Sequence, residues 1–220
     1  MMMIAAMMVA TLSANAQFEP GTFSIQPKIG INLSKVSNMP AISEGSYKLD
    51  RSLLGGAVIG AEAEYQIAKP FSLAAGVLFS MQGCQWKDDD FKIEGEKVEI
   101  KDTKIELNYI NVPLVANIYL FKGFAIKGGV QFGFLVGANA KSTKKIGDVT
   151  TSYDKDVKDD AKKFDISIPV GVSYQVPTIP IYIDARANFG VTDIMKDVAD
   201  DEKNSRNQVF QLTVGYKFAL

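Results

Sequence analysis

No histidine occurs among the 220 residues. The commonest general base is therefore missing, along with Ser-His and Cys-His pairs and most zinc sites. Carboxylates, lysines and one cysteine remain. Asp88-Asp89-Asp90, and Asp154, Asp156, Asp159 and Asp160, offer oxygens to a hard cation such as calcium. Lys87, Lys155 and Lys158 are interleaved with them and no glycine punctuates the runs, so solvated charged loops are expected instead. Cys84 has no partner for a disulfide and stands near Trp86, as a buried or rim thiol. Gly55-Gly56 and Gly128-Gly129 precede no helix that could cradle a phosphate. No serine has a persuasive neighbouring base. The expectation is a non-enzyme with no catalytic residue, no cofactor and no metal.

The charges inside apolar runs are more informative. Tyr182, Asp184, Arg186 and Asn188 alternate with Ile181, Ile183, Ala185, Ala187 and Phe189. A period of two is the strand period, so the polar set shares one face. The same reading places Lys28, Glu62, Glu64, Glu106, Lys127, Asp165, Asp184, Arg186 and Lys217 together as a lumen charge network. Such a network serves either as a proton or ion path or as structural pairing that fills the interior. Unpaired burial costs several kcal/mol per ion, so pairing into a salt-bridged plug is expected.

The elements that carry these residues repeat one pattern. At the chain's end Phe210, Leu212, Val214, Tyr216 and Phe218 point one way, and Gln211, Thr213, Gly215 and Lys217 the other. Eight such strands are expected: 23–34, 54–67, 71–86, 105–120, 124–140, 164–176, 181–192 and 209–218. Short links near Lys69, near Lys122 and at Pro177–Pro180 alternate with long ones over 35–51, 87–104, 141–163 and 193–206. Short turns at one end and long loops at the other mark an all-β, eight-stranded, antiparallel up-and-down transmembrane β-barrel. Residues 1–17 read as a signal peptide, with an apolar Ile4–Leu12 and an Ala14-Asn15-Ala16 site, and 18–220 as the outer-membrane β-barrel domain. No Lys or Arg precedes that apolar core.

Face assignment follows from size. Gly30, Gly60, Gly76, Gly129, Gly133, Gly137, Gly171, Gly190 and Gly215 fall on the polar face, as a crowded lumen requires. The opposite face carries aromatics near the strand ends, such as Phe23, Tyr65, Phe71, Phe124 and Phe164, as interfacial girdles do. Two irregularities stand out. The apolar phase changes between Tyr109 and Ile110, which predicts a bulge near Tyr109. Pro113 and Pro169 interrupt strand patterns, which predicts a bulge or lost pairing at each.

Lys28–Ser34, Tyr109-Ile110-Asn111-Val112-Pro113-Leu114, Asp184–Asp193 and Val214-Gly215-Tyr216-Lys217-Phe218 together resemble the PorT-type outer-membrane β-barrel family. The resemblance covers essentially the whole mature chain. It implies an eight-stranded barrel in the outer membrane of a Gram-negative bacterium, with some members serving a protein-secretion apparatus. It carries no catalytic residues. Here Ala219 and Leu220 follow the aromatic on which such barrels usually stop. The function expected is a structural or partner-binding role through long charged extracellular loops, with a link to secretion or envelope assembly. The alternative is a narrow pore or small-molecule passage. Expected partners are outer-membrane lipid and other envelope proteins. With 24 Lys and Arg against 25 Asp and Glu, no nucleic acid is expected. Eight strands close without help, so a monomer is expected.

Overall fold

In hydrocarbon no water takes up a strand's N–H and C=O groups, so every strand must pair on both edges. The computed structural model meets that demand by closing. It describes residues 19–39, 43–44, 47–93, 96–196 and 204–220. The expected signal segment 1–17 lies outside them. The barrel strands are β1 (Phe23–Val36), β2 (Leu54–Ala68), β3 (Phe71–Trp86), β4 (Glu96–Phe121), β5 (Phe124–Ile146), β6 (Phe164–Gln175), β7 (Ile181–Gly190) and β8 (Asn207–Tyr216). Each pairs antiparallel with the next. β8 returns to β1, from Lys28↔Gly215 to Val36↔Asn207, and Phe218–Ala219 extends this closure against Ser24 and Ile25.

The two faces separate as the alternation demands. Ile29 is 61% exposed and Val77 55%, on the side that meets lipid. Asn32 and Asp184 are fully buried inside. The aromatics Phe23, Tyr65 and Tyr174 lie on the outer face near the short turns.

β4 and β5 run to 26 and 23 residues and rise beyond the other strands. Asp89–Ile93 pairs with β4 and Val149–Asp156 with β5, making a four-stranded sheet on the long-loop side. The segments 87–104 and 141–163, expected as charged loops, are thus largely β-structure. Val98 and Ile100 face an apolar cluster with Phe91, Met39 and Leu49, while Lys97 and Lys101 face water. That alternation is a strand pattern embedded in charge.

The irregularities resolve differently from one another. A register jump does fall at Asn108/Tyr109, from Asn108↔Gly137 to Tyr109↔Leu135, but the extra residue is Val136 on β5. From Thr103 onward β4 keeps one phase: Leu107, Tyr109, Asn111, Pro113, Val115, Asn117 and Tyr119 are all buried inside, and its own phase change lies higher, at the register shift between Lys101 and Lys104. Its apparent slip is a change in what fills the lumen, from polar to apolar. At both prolines the ladder skips on one side without a bulge. β3–β4 pairing passes from Ala75↔Leu114 to Leu78↔Asn111, and β5–β6 from Ser167↔Gln131 to Val170↔Gly128. The opposite edges, Pro113↔Gln131 and Pro169↔Asn188, stay paired. Pro27 behaves alike, since the closing ladder skips from Lys28↔Gly215 to Ile25↔Phe218.

The glycines are only partly explained by side-chain crowding. A Cβ on Gly215 would meet the Tyr182 ring, which lies over it in the lumen. At Gly30, Gly60, Gly76, Gly129 and Gly171 it would instead strike a carbonyl oxygen of the adjacent strand. These positions mark where a small barrel bends its strands sharply. Gly30→Ala should therefore destabilise the barrel by about 1–3 kcal/mol, the range for forced overpacking. Gly55→Ala, where a Cβ meets nothing within 4 Å, should stay within about 0.5 kcal/mol of wild type. Denaturant unfolding followed by the mobility of unboiled samples on gels measures both.

Candidate functional site: the lumen charge network

Side chains from four strands converge in the middle of the lumen because their strands bring the polar phase to one level. Arg186 of β7 is the hub. Its Nη1 and Nη2 donate to Glu62 Oε1 and Oε2 of β2 at 2.6 and 2.7 Å, across the barrel. Its Nε and Nη2 also donate to Asp184 Oδ1 and Oδ2 at 2.7 and 2.8 Å. Lys127 of β5 donates to Asp184. Lys28 of β1 lies 2.6 Å from Glu62 and 3.9 Å from Asp184. A guanidinium fits this place because its planar fork serves two carboxylates at once.

Nearer the short turns lies a second layer. Glu64 accepts from Tyr119 Oη at 2.5 Å, Ser72 Oγ at 2.7 Å and Lys217 Nζ at 3.0 Å, and also from Gln26. Lys217 Nζ also donates to Tyr119 Oη at 3.0 Å. Toward the long-loop end, Asp165 accepts from Thr192 Oγ1 at 2.5 Å and Asn207 Nδ2 at 3.0 Å. It has no cationic partner among the described residues. A residual cavity of about 10 Å³ beside Asp165, Gln131 and Asn111 holds at most about one water. Above it the lumen turns apolar with Tyr109, Leu107 and Leu135.

Eight of the nine residues expected in the lumen are buried there: Lys28, Glu62, Glu64, Lys127, Asp165, Asp184, Arg186 and Lys217. Glu106 is not among them. It lies in the outward phase of β4 at the rim, 2.8 Å from Lys104 and 3.0 Å from Lys141. The supposed slip in β4 had inverted its face. Without it, among the described residues, the interior holds four cations, Lys28, Lys127, Arg186 and Lys217, against four anions, Glu62, Glu64, Asp165 and Asp184. The sequence does not single out Tyr119, although it shares its phase with Asn111 and Asn117; Gln26 falls on the polar face with Lys28, but its contact with Glu64 is not readable there.

Outside the lumen, acids are held by local donors. Asp88 accepts from the Asp102 amide at 2.9 Å, and Asp90 lies 3.3 Å from Lys97. Lys101 and Lys97 flank Glu99 on the exposed sheet and hold its carboxyl down to about 2. Among the described residues no three His, Cys, Asp or Glu side chains are arranged to hold a metal ion. Cys84 is buried in the apolar cluster.

The lumen is therefore an electrostatic unit in which each removal orphans a charge. Arg186→Leu should cost about 3–5 kcal/mol, as for breaking a buried pair. Glu62→Leu combined with Arg186→Leu should cost less than the two single changes summed, because Asp184 keeps Lys127. Equilibrium unfolding of the refolded barrels measures the cycle.

Over residues 15–196 the chain matches the family described as "Outer membrane protein beta-barrel domain". That description is broader than the PorT-type resemblance. Among solved structures it is similar to Ail, the attachment invasion locus protein of Yersinia pestis, at 18% identity and a TM-score of 0.41, over 90% of this chain and 99% of that one. Neisserial surface protein A is similar at 15% and 0.44, over 89% and 97%. OprG from Pseudomonas aeruginosa is similar at 12% and 0.40, over 93% and 99%. The search of curated proteins returns no match. The match spans most of the closed, lipid-faced barrel described above, and the chain belongs to the outer-membrane β-barrel domain family of the bacterial outer membrane.

Proposed function

We propose that this barrel is closed to solutes and works outside its lumen, as an outer-membrane platform for an envelope partner. The observation that carries the reading is the cross-barrel pairing of Arg186 with Glu62 and Asp184, which occupies the middle of the lumen. The space beside Asp165 is small, and an apolar layer follows it. Ions would have to break buried pairs to pass.

The surface left to do work is the sheet beyond the membrane. Val149–Asp156 is exposed along its whole length and, among the described residues, pairs on one edge only, with β5. An open edge of this kind is a ready template for strand addition by a protein partner. The PorT-type resemblance adds a secretion or envelope assembly as the setting. The reading includes no chemistry: the chain lacks histidine, and Ser72 is engaged by Glu64 and Asn117.

A second reading, passage of a small apolar molecule, draws on the ladder gaps beside Pro113 and Pro169. Planar bilayers separate the two. The reconstituted full chain should give no steady conductance, while Glu62→Ala with Arg186→Ala, which removes the cross-barrel bridge of the middle layer, should give small steps. Steady ion-selective steps from the wild type would overturn the closed-barrel reading.

A further inference from the structure

At the long-loop rim, β8, β1 and the start of β2 share an outer-face cavity of about 720 Å³. Lys35 and Arg51 line it, with Leu53, Phe210 and Gln208. Arg206 precedes Gln208 by two residues and so shares its outward phase on the same chain. Its backbone is fixed beside the cavity, because the Ser37 amide donates to the Arg206 carbonyl at 2.9 Å and the Arg206 amide to Ser37 Oγ at 3.2 Å. Lys35, Arg51 and Arg206 are all exposed. Among the described residues none has an acidic partner, and no acid lines the cavity.

Several other cations at this end are matched. Lys104 and Lys141 close on Glu106, Lys162 on Asp193 and Lys87 on Asp50. The unmatched set also sits at a distinctive height. Lys35 stands next above Leu33, Ile31 and Ile29 in the lipid-facing phase of β1, and Leu33 is in register with Phe210. Beside Leu33 lies Gly55, whose outer side is open space. A concentration of positive charge thus crowns an apolar groove at the outer boundary of the membrane.

We infer that this rim binds a phosphorylated glycolipid of the outer leaflet, its phosphate on Lys35, Arg51 and Arg206 and an acyl chain along Leu33, Phe210 and the gap at Gly55. Arginine forks and a lysine are the donors that phosphate oxygens select. A free anion would have no use for the apolar floor. An acyl chain without a phosphate would leave the cations unmatched.

The test uses the refolded full chain in detergent, titrated with bisphosphorylated lipid A and followed by native mass spectrometry. Lys35→Gln, Arg51→Gln and Arg206→Gln combined should weaken retention by at least about tenfold, since charge-assisted contacts of this kind are lost together. Lys69→Gln with Lys122→Gln, at the opposite end, should bind as wild type. All variants should keep the heat-dependent gel mobility of a folded barrel, because the altered side chains are exposed. Dephosphorylated lipid A should not distinguish the triple variant from wild type. Equal retention by the triple variant would overturn the inference. So would equal binding of wild type to the dephosphorylated lipid, or displacement of lipid A by millimolar inorganic phosphate.

Discussion

Closure of β8 on β1 is the constraint from which the rest of the molecule follows. In lipid an open edge would leave a row of unpaired N–H and C=O groups, so eight strands must complete a circle. A circle this small bends each strand hard. Gly30, Gly60, Gly76, Gly129 and Gly171 take up the bend at places where a neighbouring carbonyl leaves no room for a Cβ. Proline is tolerated within the same ladder because it withholds only one donor. At Pro27, Pro113 and Pro169 one side of the ladder skips and the other holds, so closure survives each loss.

The circle also fixes what the lumen must contain. Eight strands leave an interior that side chains can fill. Their polar face points into it, and the charges that face carries cannot be left alone. The solution is neutrality by count and by contact, with four cations, four anions and one guanidinium bridging two carboxylates. Only Asp165 stands apart, held by neutral donors near the level where the lumen becomes apolar. That apolar region has its own cause. A ribbon raised above the membrane has water on both sides and is marginal unless one face is covered. Val98 and Ile100 of β4, with Phe91, gain that cover from Met39 and Leu49, and the cluster continues down through Leu107 and Tyr109 into the barrel.

Strand number, facing and most boundaries are legible in the chain because lipid on one side and a polar lumen on the other impose a strict period of two. Legibility fails where that contrast fails. In upper β4, Ile105, Leu107 and Tyr109 are apolar yet occupy the inward phase. A pattern read on the rule that apolar means outward must then invent a slip, and the slip carries Glu106 to the wrong face. The true extra residue, Val136, hides because an apolar residue on either side of it fits some environment. The strands at 89–93 and 149–156 were missed for a related reason: they are charged, and charge without lipid contact reads as loop. Among the lumen residues the ionisable ones announce themselves. Tyr119 and Gln26 do not, since only their distance to Glu64 gives them a role.

The barrel's two ends consequently differ in kind. At the short-turn end the described strands stop soon after the outer aromatics and the Glu64 layer. At the other end β4 and β5 stay paired, through register shifts at Asn108/Tyr109 and Lys101/Lys104, from the Lys122-Gly123 turn up to Val98↔Ile146, next to the Gly147-Asp148 tip. The exposed sheet is therefore not a loop attached to a barrel; it is the barrel's own wall extended into water. Its orientation relative to the membrane is set by the same backbone ladder that crosses the lipid. A flexible loop would bring no such fixed direction to a partner and would lose entropy on docking. A wall extension continuous with the barrel presents its edge in a direction set by the paired strands beneath it.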